Sequence, residues 1–311
     1  MTVIDLHCDA LWRSGPGGRL KGEVTVEALR QGACLAQCFA VFSSAGRWDP
    51  YLRLRRGVGR WRRMCRRYEK DLAPVRDPGE LRQVQKQGRI GALLTLENAG
   101  ALGGKPARLA WAARQGVQML SLTWNHPNRL GYPHSPDPLL HARGLTPQGR
   151  QTVEECNRLG ILVDLSHLSA GGFWQALSLS RAPVAVSHAC AYGLCPHSRN
   201  LTDDQLRALG NAGGVLGLAY YAPFLRPGAR IGKIEDLVAH ARYVVELAGE
   251  DALCLGGDLD GMDLPTAFGG WKGVPELVQA LEKAFGSRRL EKICYGNFLR
   301  VWQGCKDGSD H

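Results

Sequence analysis

The sequence has no run of 18 or more apolar residues, so it offers no transmembrane helix. It has no internal repeat, low-complexity tract or long linker, and this leaves a single domain over residues 1–311 as the expectation. There is no Cys-x-x-Cys pair, and Cys34 and Cys38 have no second pair with which to complete a zinc site. Ten cysteines in 311 residues would argue for a disulfide framework only in a short secreted chain. The opening Met1–Thr2–Val3–Ile4–Asp5 shows neither the charged start nor the apolar stretch of a signal peptide. The expectation is a cytoplasmic protein with reduced thiols. Cys8, Cys34, Cys38, Cys190 and Cys254, in or beside apolar strands, act there as small buried hydrophobes.

What is present is alternation. Short apolar runs at 3–9, 33–42, 89–97, 117–124, 161–167, 183–188, 214–221 and 252–258 read as strands. Most are separated by amphipathic stretches, among them 109–115, 147–159, 169–180, 203–209 and 234–247. Strands with continuous apolar character match a parallel sheet buried on both faces, and eight βα units in succession predict a closed (β/α)8 barrel of the α/β class. Thr146–Pro147 and Thr202–Asp203 read as helix starts, and Gly116, Gly160 and Gly249 as helix ends. The Pro- and Gly-rich stretch 125–145, after the fourth predicted strand, is expected to shape a pocket.

The formal charge of +10 is concentrated. Residues 47–70 hold ten basic side chains, interleaved with Trp48, Tyr51, Trp61 and Tyr68. Such a stretch could be a footprint for nucleic acid or an anionic membrane, or could attract an acidic substrate or partner. With no nucleic-acid-binding motif beside it, the simpler expectation is a crossover helix. It would turn Leu52, Val58, Trp61 and Met64 inward and its arginines to solvent. No nucleic-acid partner is expected.

Several apolar runs end in residues able to bind a metal or move a proton. His7 and Asp9, two apart on a strand, face the same side. A lone His-x-Asp is short enough to occur by chance. Glu97 closes the third predicted strand, where a charge needs a partner or a metal. His167 and His188 close the fifth and sixth. A barrel gathers strand ends at one rim, and three histidines with two carboxylates offer more ligands than one zinc needs. They suit two divalent ions sharing a carboxylate.

The chain resembles the membrane (renal-type) dipeptidase family of zinc peptidases. The resemblance runs from Asp5–Leu6–His7–Cys8–Asp9 to Gly296–Asn297–Phe298–Leu299–Arg300–Val301–Trp302. Its most specific segments are Val163–Asp164–Leu165–Ser166–His167, Ser187–His188–Ala189, Ser198–Arg199–Asn200–Leu201–Thr202–Asp203–Asp204 and Gly256–Gly257–Asp258–Leu259–Asp260–Gly261. The resemblance implies that His7 and Asp9 bind one Zn2+, that His167 and His188 bind the other, and that Glu97 bridges the two. It also implies that Arg199 grips the substrate carboxylate and that Asp258 faces the substrate amine and shuttles protons. Asp260 is the less functional member of the Asp258–Asp260 pair. Tyr221 either lines the pocket or belongs to the core.

One position departs from the family pattern. Trp124 stands where better-known members carry a histidine that binds the substrate and the tetrahedral intermediate. His126, two residues on, replaces it or is simply a loop residue, and Asn125 is another donor. The expected reaction is zinc-dependent dipeptide hydrolysis by hydroxide held between the ions. The resemblance adds tolerance of a C-terminal D-residue and a homodimer. The alternative substrate is another small amide, such as an N-acyl amino acid or a cyclic amide.

Overall fold

The computed structural model describes residues 1–15, 17–43, 49–266 and 268–309. Nine strands are formed among them: β1 (Val3–Cys8), β2 (Cys34–Phe42), β3 (Leu72–Pro74), β4 (Ile90–Glu97), β5 (Val117–Ser121), β6 (Leu162–Asp164), β7 (Ala185–Ala189), β8 (Val215–Leu218) and β9 (Leu253–Leu255). All pair in parallel, in the order β2-β1-β9-β8-β7-β6-β5-β4, and β2 closes the ring on β4 along Ala36–Phe42. The expected closed eight-stranded (β/α)8 barrel is thus formed. β3 is an addition that the sequence did not suggest. Among the described residues it pairs only with the start of β4, Leu72–Pro74 against Ile90–Ala92, and its three residues are too few to show a sequence pattern.

The helices begin where the capping chemistry places them. The Thr146 hydroxyl accepts the Gly149 N–H ahead of the Pro147–Arg158 helix, and Thr202 forms a capping box with Gln205 ahead of Asp203–Asn211. The crossover helix is Pro50–Arg67; Arg47 and Trp48 lie outside the described residues. Val58, Trp61 and Met64 are buried as expected, but Leu52 is exposed and Leu54 takes the inward position. Leu54, four residues before Val58, lies on the same helical stripe, which Leu52 does not. No described helix is long and apolar enough to cross a membrane. All ten cysteines are buried free thiols.

One packed cluster draws on every strand of the ring: Ile4 and Leu6, Ala36 and Cys38, Leu93, Met119, Leu162, Ala185, Val215 and Cys254. It is the barrel interior. Phe298, Val301 and Trp302, from the Asn297–Asp307 helix, join it. Trp302 is fully buried and donates its indole N–H to Gln118 Oε1 at 3.1 Å.

Among several register shifts in the described barrel, two change strand parity close to the metal-site residues. β1 pairs Asp5 with Gln37 and then Cys8 with Phe39, so it carries one residue more than β2. β7 does the same against β8, pairing Val186 with Leu216 and then Ala189 with Leu218. Ile4 and Leu6 fill the interior, Cys8 packs outside, and the bulge between turns His7 and Asp9 into the mouth. The β7 bulge aims His188 likewise. Its carbonyl at Ser187 leaves no room beside it: a Cβ on Gly256 would lie 1.8 Å from that oxygen.

Replacing Trp302 by alanine removes the largest side chain of the interior cluster and strands Gln118 Oε1. A loss of about 3–5 kcal/mol in urea unfolding is expected; a loss below about 1 kcal/mol would contradict this packing.

Candidate metal centre and substrate cavity

The rim collects the six residues that the sequence singled out for metal binding or proton transfer. His7 lies on β1 with Asp9 just beyond it, Glu97 ends β4, and His188 lies on β7. His167 and Asp258 each follow a strand by three residues, and both sit in the left-handed region, at φ +65° and +58°. Such backbone costs of order 1–3 kcal/mol per residue and persists where the surroundings enforce it. The predicted strands ran too far here because the apolar pattern continues through these turns.

Glu97 stands at the centre. Its Oε1 is 2.9 Å from His167 Nε2 and 3.9 Å from both His188 Nε2 and His7 Nε2. His7 Nε2 is 3.5 Å from Asp9 Oδ2 and 3.7 Å from Asp258 Oδ1, and the Nε2 atoms of His167 and His188 are 2.9 Å apart. Ligand atoms within 4.8 Å of one another fall into His7–Asp9–Glu97 and Glu97–His167–His188, with Glu97 common to both. A third group, His7–His188–Asp258, also meets this distance.

The ligand atoms are held from behind. Asp5 accepts hydrogen bonds from the backbone N–H of His7 (3.1 Å) and Gly257 (2.8 Å) and from Gln37 Nε2 (2.9 Å). It thereby ties β1 to the loop that bears Asp258. The Ser187 hydroxyl donates to Asp164 Oδ2 (2.6 Å) and so accepts from His188 Nδ1 (2.8 Å), which leaves the His188 lone pair on Nε2. Asp260, buried, accepts the N–H groups of Glu23 and Val24, a structural clasp consistent with its lesser expected role.

The electrostatics call for a cation. Burial opposes a charge on His7, but the carboxylates of Asp9, Glu97 and Asp258 prevail and raise its pKa to about 10. Burial and the neighbouring Asp9 push Glu97 well above the carboxylate range. Burial raises Asp258 to about 7, against the lowering effect of His7. Burial holds His167 and His188 well below 6.5, as neutral imidazoles. His7 Nε2 and Asp9 Oδ1 are buried without hydrogen-bond partners. Orphaned donor atoms among crowded carboxylates are what divalent ions would satisfy, and the mixed imidazole and carboxylate set suits zinc.

Beside these residues lies a cavity of about 380 Å³. Trp124 lines it, packed on Phe42 at 4.7 Å between ring centroids. His126 does not line it: β5 ends at Ser121, so the strand that would have carried both residues to one side stops short, and His126 is exposed beyond Trp124. Of the histidines of that loop the one lining the cavity is His134, which no periodicity or motif marks; His197 lines it from beyond the loop. Burial, with Arg199 and His197 nearby, lowers His134 to about 3. Tyr221 also lines the cavity, three residues beyond β8, and donates its hydroxyl to Asp263. Arg199 is buried at the cavity wall, with Nη2 on the His188 carbonyl at 3.0 Å. Among the described residues no carboxylate lies within 4.0 Å of it.

The model of the family described as membrane dipeptidase, peptidase family M19, matches residues 1–310. The chain belongs to the membrane dipeptidase family. As a member it is a metallodipeptidase-type hydrolase. It is 31% identical over 295 residues to the dipeptidase aclJ of Aspergillus oryzae, covering 91% of this chain and 70% of that one. It is 34% identical over 222 residues to an uncharacterised protein of Klebsiella pneumoniae, covering 67% and 81%. A metallopeptidase from Rhodobacter sphaeroides, solved with a phosphinate mimic of the dipeptide L-Ala-D-Ala, superposes with a TM-score of 0.89 at 26% identity, covering 98% and 99%.

Without metal, His7 contributes stability in full below its ordinary pKa of 6.5 and loses it as pH rises towards about 10. Asp258, raised from 3.8 to about 7, has already lost its contribution by neutral pH. The urea midpoint of the chelated dipeptidase should therefore fall between pH 7 and about pH 9.5. His7→Gln should flatten that fall; a wild-type midpoint independent of pH would contradict the carboxylate cage.

Proposed function

We propose that this family member is a zinc dipeptidase with two ions per site. The observation that carries the proposal is the pair of ligand groups meeting at Glu97. His7 and Asp9 would hold one ion, His167 and His188 the other, and Glu97 both. When bound, the ions supply Lewis acidity towards the scissile carbonyl and lower the pKa of a water.

The remaining steps belong to the chain. A buried guanidinium without a carboxylate partner seeks an anion, so Arg199 takes the C-terminal carboxylate of the dipeptide and limits substrates to short peptides. Asp258 lines the same cavity, and burial raises its pKa to about 7. It accepts the proton of the attacking water and delivers it to the leaving amine. Asn125 and His134 line the cavity where the family histidine is missing, and the Asn125 amide N–H groups serve as donors to the developing oxyanion. Trp124 and Tyr221 shape the walls. Acceptance of a C-terminal D-residue is supported by the mimic bound to the Rhodobacter relative. A cytoplasmic setting accords with ten buried free thiols. Trp124 also favours a second reading, in which the same centre cleaves another small amide.

Glu97→Gln should cut dipeptide turnover by more than the roughly 100-fold typical of losing an outer-shell partner, with bound zinc falling below two per chain. Near-normal turnover with full zinc content would sink the shared-carboxylate assignment.

A further inference from the structure

Resting on the two-metal reading, we infer that Asn125 is a positioning residue that fixes His167 in the tautomer a metal requires, and that His134 and Ser198 hold Asn125 in place. Asn125 Oδ1 lies 2.9 Å from Nδ1 of His167 and 3.2 Å from Nε2 of His134. His134 Nδ1 in turn lies 2.8 Å from the Ser198 hydroxyl. An amide oxygen has no proton to give, so both ring nitrogens facing it are donors. His167 then carries its proton on Nδ1 and its lone pair on Nε2, the atom 2.9 Å from Glu97 Oε1 and from His188 Nε2. His134 carries its proton on Nε2 and accepts the Ser198 hydroxyl proton on Nδ1. Each contact from Ser198 through His134 and Asn125 to His167 Nδ1 then pairs a donor with an acceptor.

The opposite amide orientation fails. It would aim N–H groups at both imidazoles, drive the His167 proton onto Nε2, and place that proton between Glu97 and His188, where the cation must sit. The backbone supports the observed arrangement. His134 N–H donates to the His167 carbonyl at 2.8 Å, and a bridge from Pro133 to Leu168 pins the 125–145 loop to the turn after β6. His188 reaches the same tautomer through Ser187 and the Asp164 side chain, whereas His167 depends on an amide. The chain Ser198–His134–Asn125–His167 also joins the residue beside Arg199 to a ligand histidine, so the substrate and metal halves of the site share one hydrogen-bonded frame.

Long-range 1H–15N spectra of the metal-free protein report the tautomer directly, and titration with zinc alone reports affinity. The wild-type protein should show His167 protonated on Nδ1. Asn125→Leu, at a position exposed to the cavity, should move the proton to Nε2, where Glu97 can accept it. It should also weaken zinc binding at the His167–His188 side of the centre by roughly 10–100-fold. Asn125→Asp keeps an acceptor and should retain the wild-type tautomer and most of the affinity. His134→Phe, which removes only the support of Asn125, should give an intermediate loss. A folded Asn125→Leu variant with the wild-type tautomer and affinity would overturn the assignment. Uptake of fewer than two zinc ions by the wild-type protein would instead overturn the two-metal reading, and the tautomer comparison would still decide the role of Asn125.

Discussion

Three carboxylates and three imidazoles cannot crowd into one largely buried cluster at neutral pH without positive charge supplied from outside. In this chain the pressure appears as protons held where they would not ordinarily stay: on His7 up to about pH 10, on Asp258 up to about 7, and on Glu97 well above its usual range. Arg199 contributes, but it stands at the cavity wall and makes no ion pair with the cluster among the described residues. The centre is built to exchange protons for metal, and the features around it hold the ligands against their mutual repulsion. The bulges on β1 and β7, the left-handed backbone at His167 and Asp258, and the Asp5 clamp all serve that end.

The cavity carries the same logic outward. Its lining brings the carboxyl groups of Asp9, Glu97 and Asp258 together with the guanidinium of Arg199, so both charges of a dipeptide zwitterion meet a counterpart in one cavity. Trp124 also lines it, where its indole supplies a wall and cannot act as an acid or base.

Much of the fold and the centre was legible because barrel strands advertise themselves as apolar runs and because a charge at the end of such a run is costly. His7, Glu97, His167 and His188 stand out on that ground alone. The bulges were not legible: a one-residue slip leaves composition unchanged and shows only in pairing, as between Asp5 and Cys8. His134 was hidden for a related reason. Loop 125–145 holds three histidines, and strand parity favoured His126; only the contacts of Pro133 and His134 with the turn after β6 bring one of them into the cavity. β3 is too short for a pattern, and Leu52 is as hydrophobic as Leu54 but lies off the helical stripe that packs inward.

The most direct test is release of free amino acids from a panel of L,L- and L,D-dipeptides. The purified protein would be assayed as isolated, after chelation, and after restoration with zinc. The account predicts activity that is lost on chelation and recovered at two zinc ions per chain, with L,D-substrates accepted. A fully zinc-loaded protein that cleaves none of the dipeptides would contradict it.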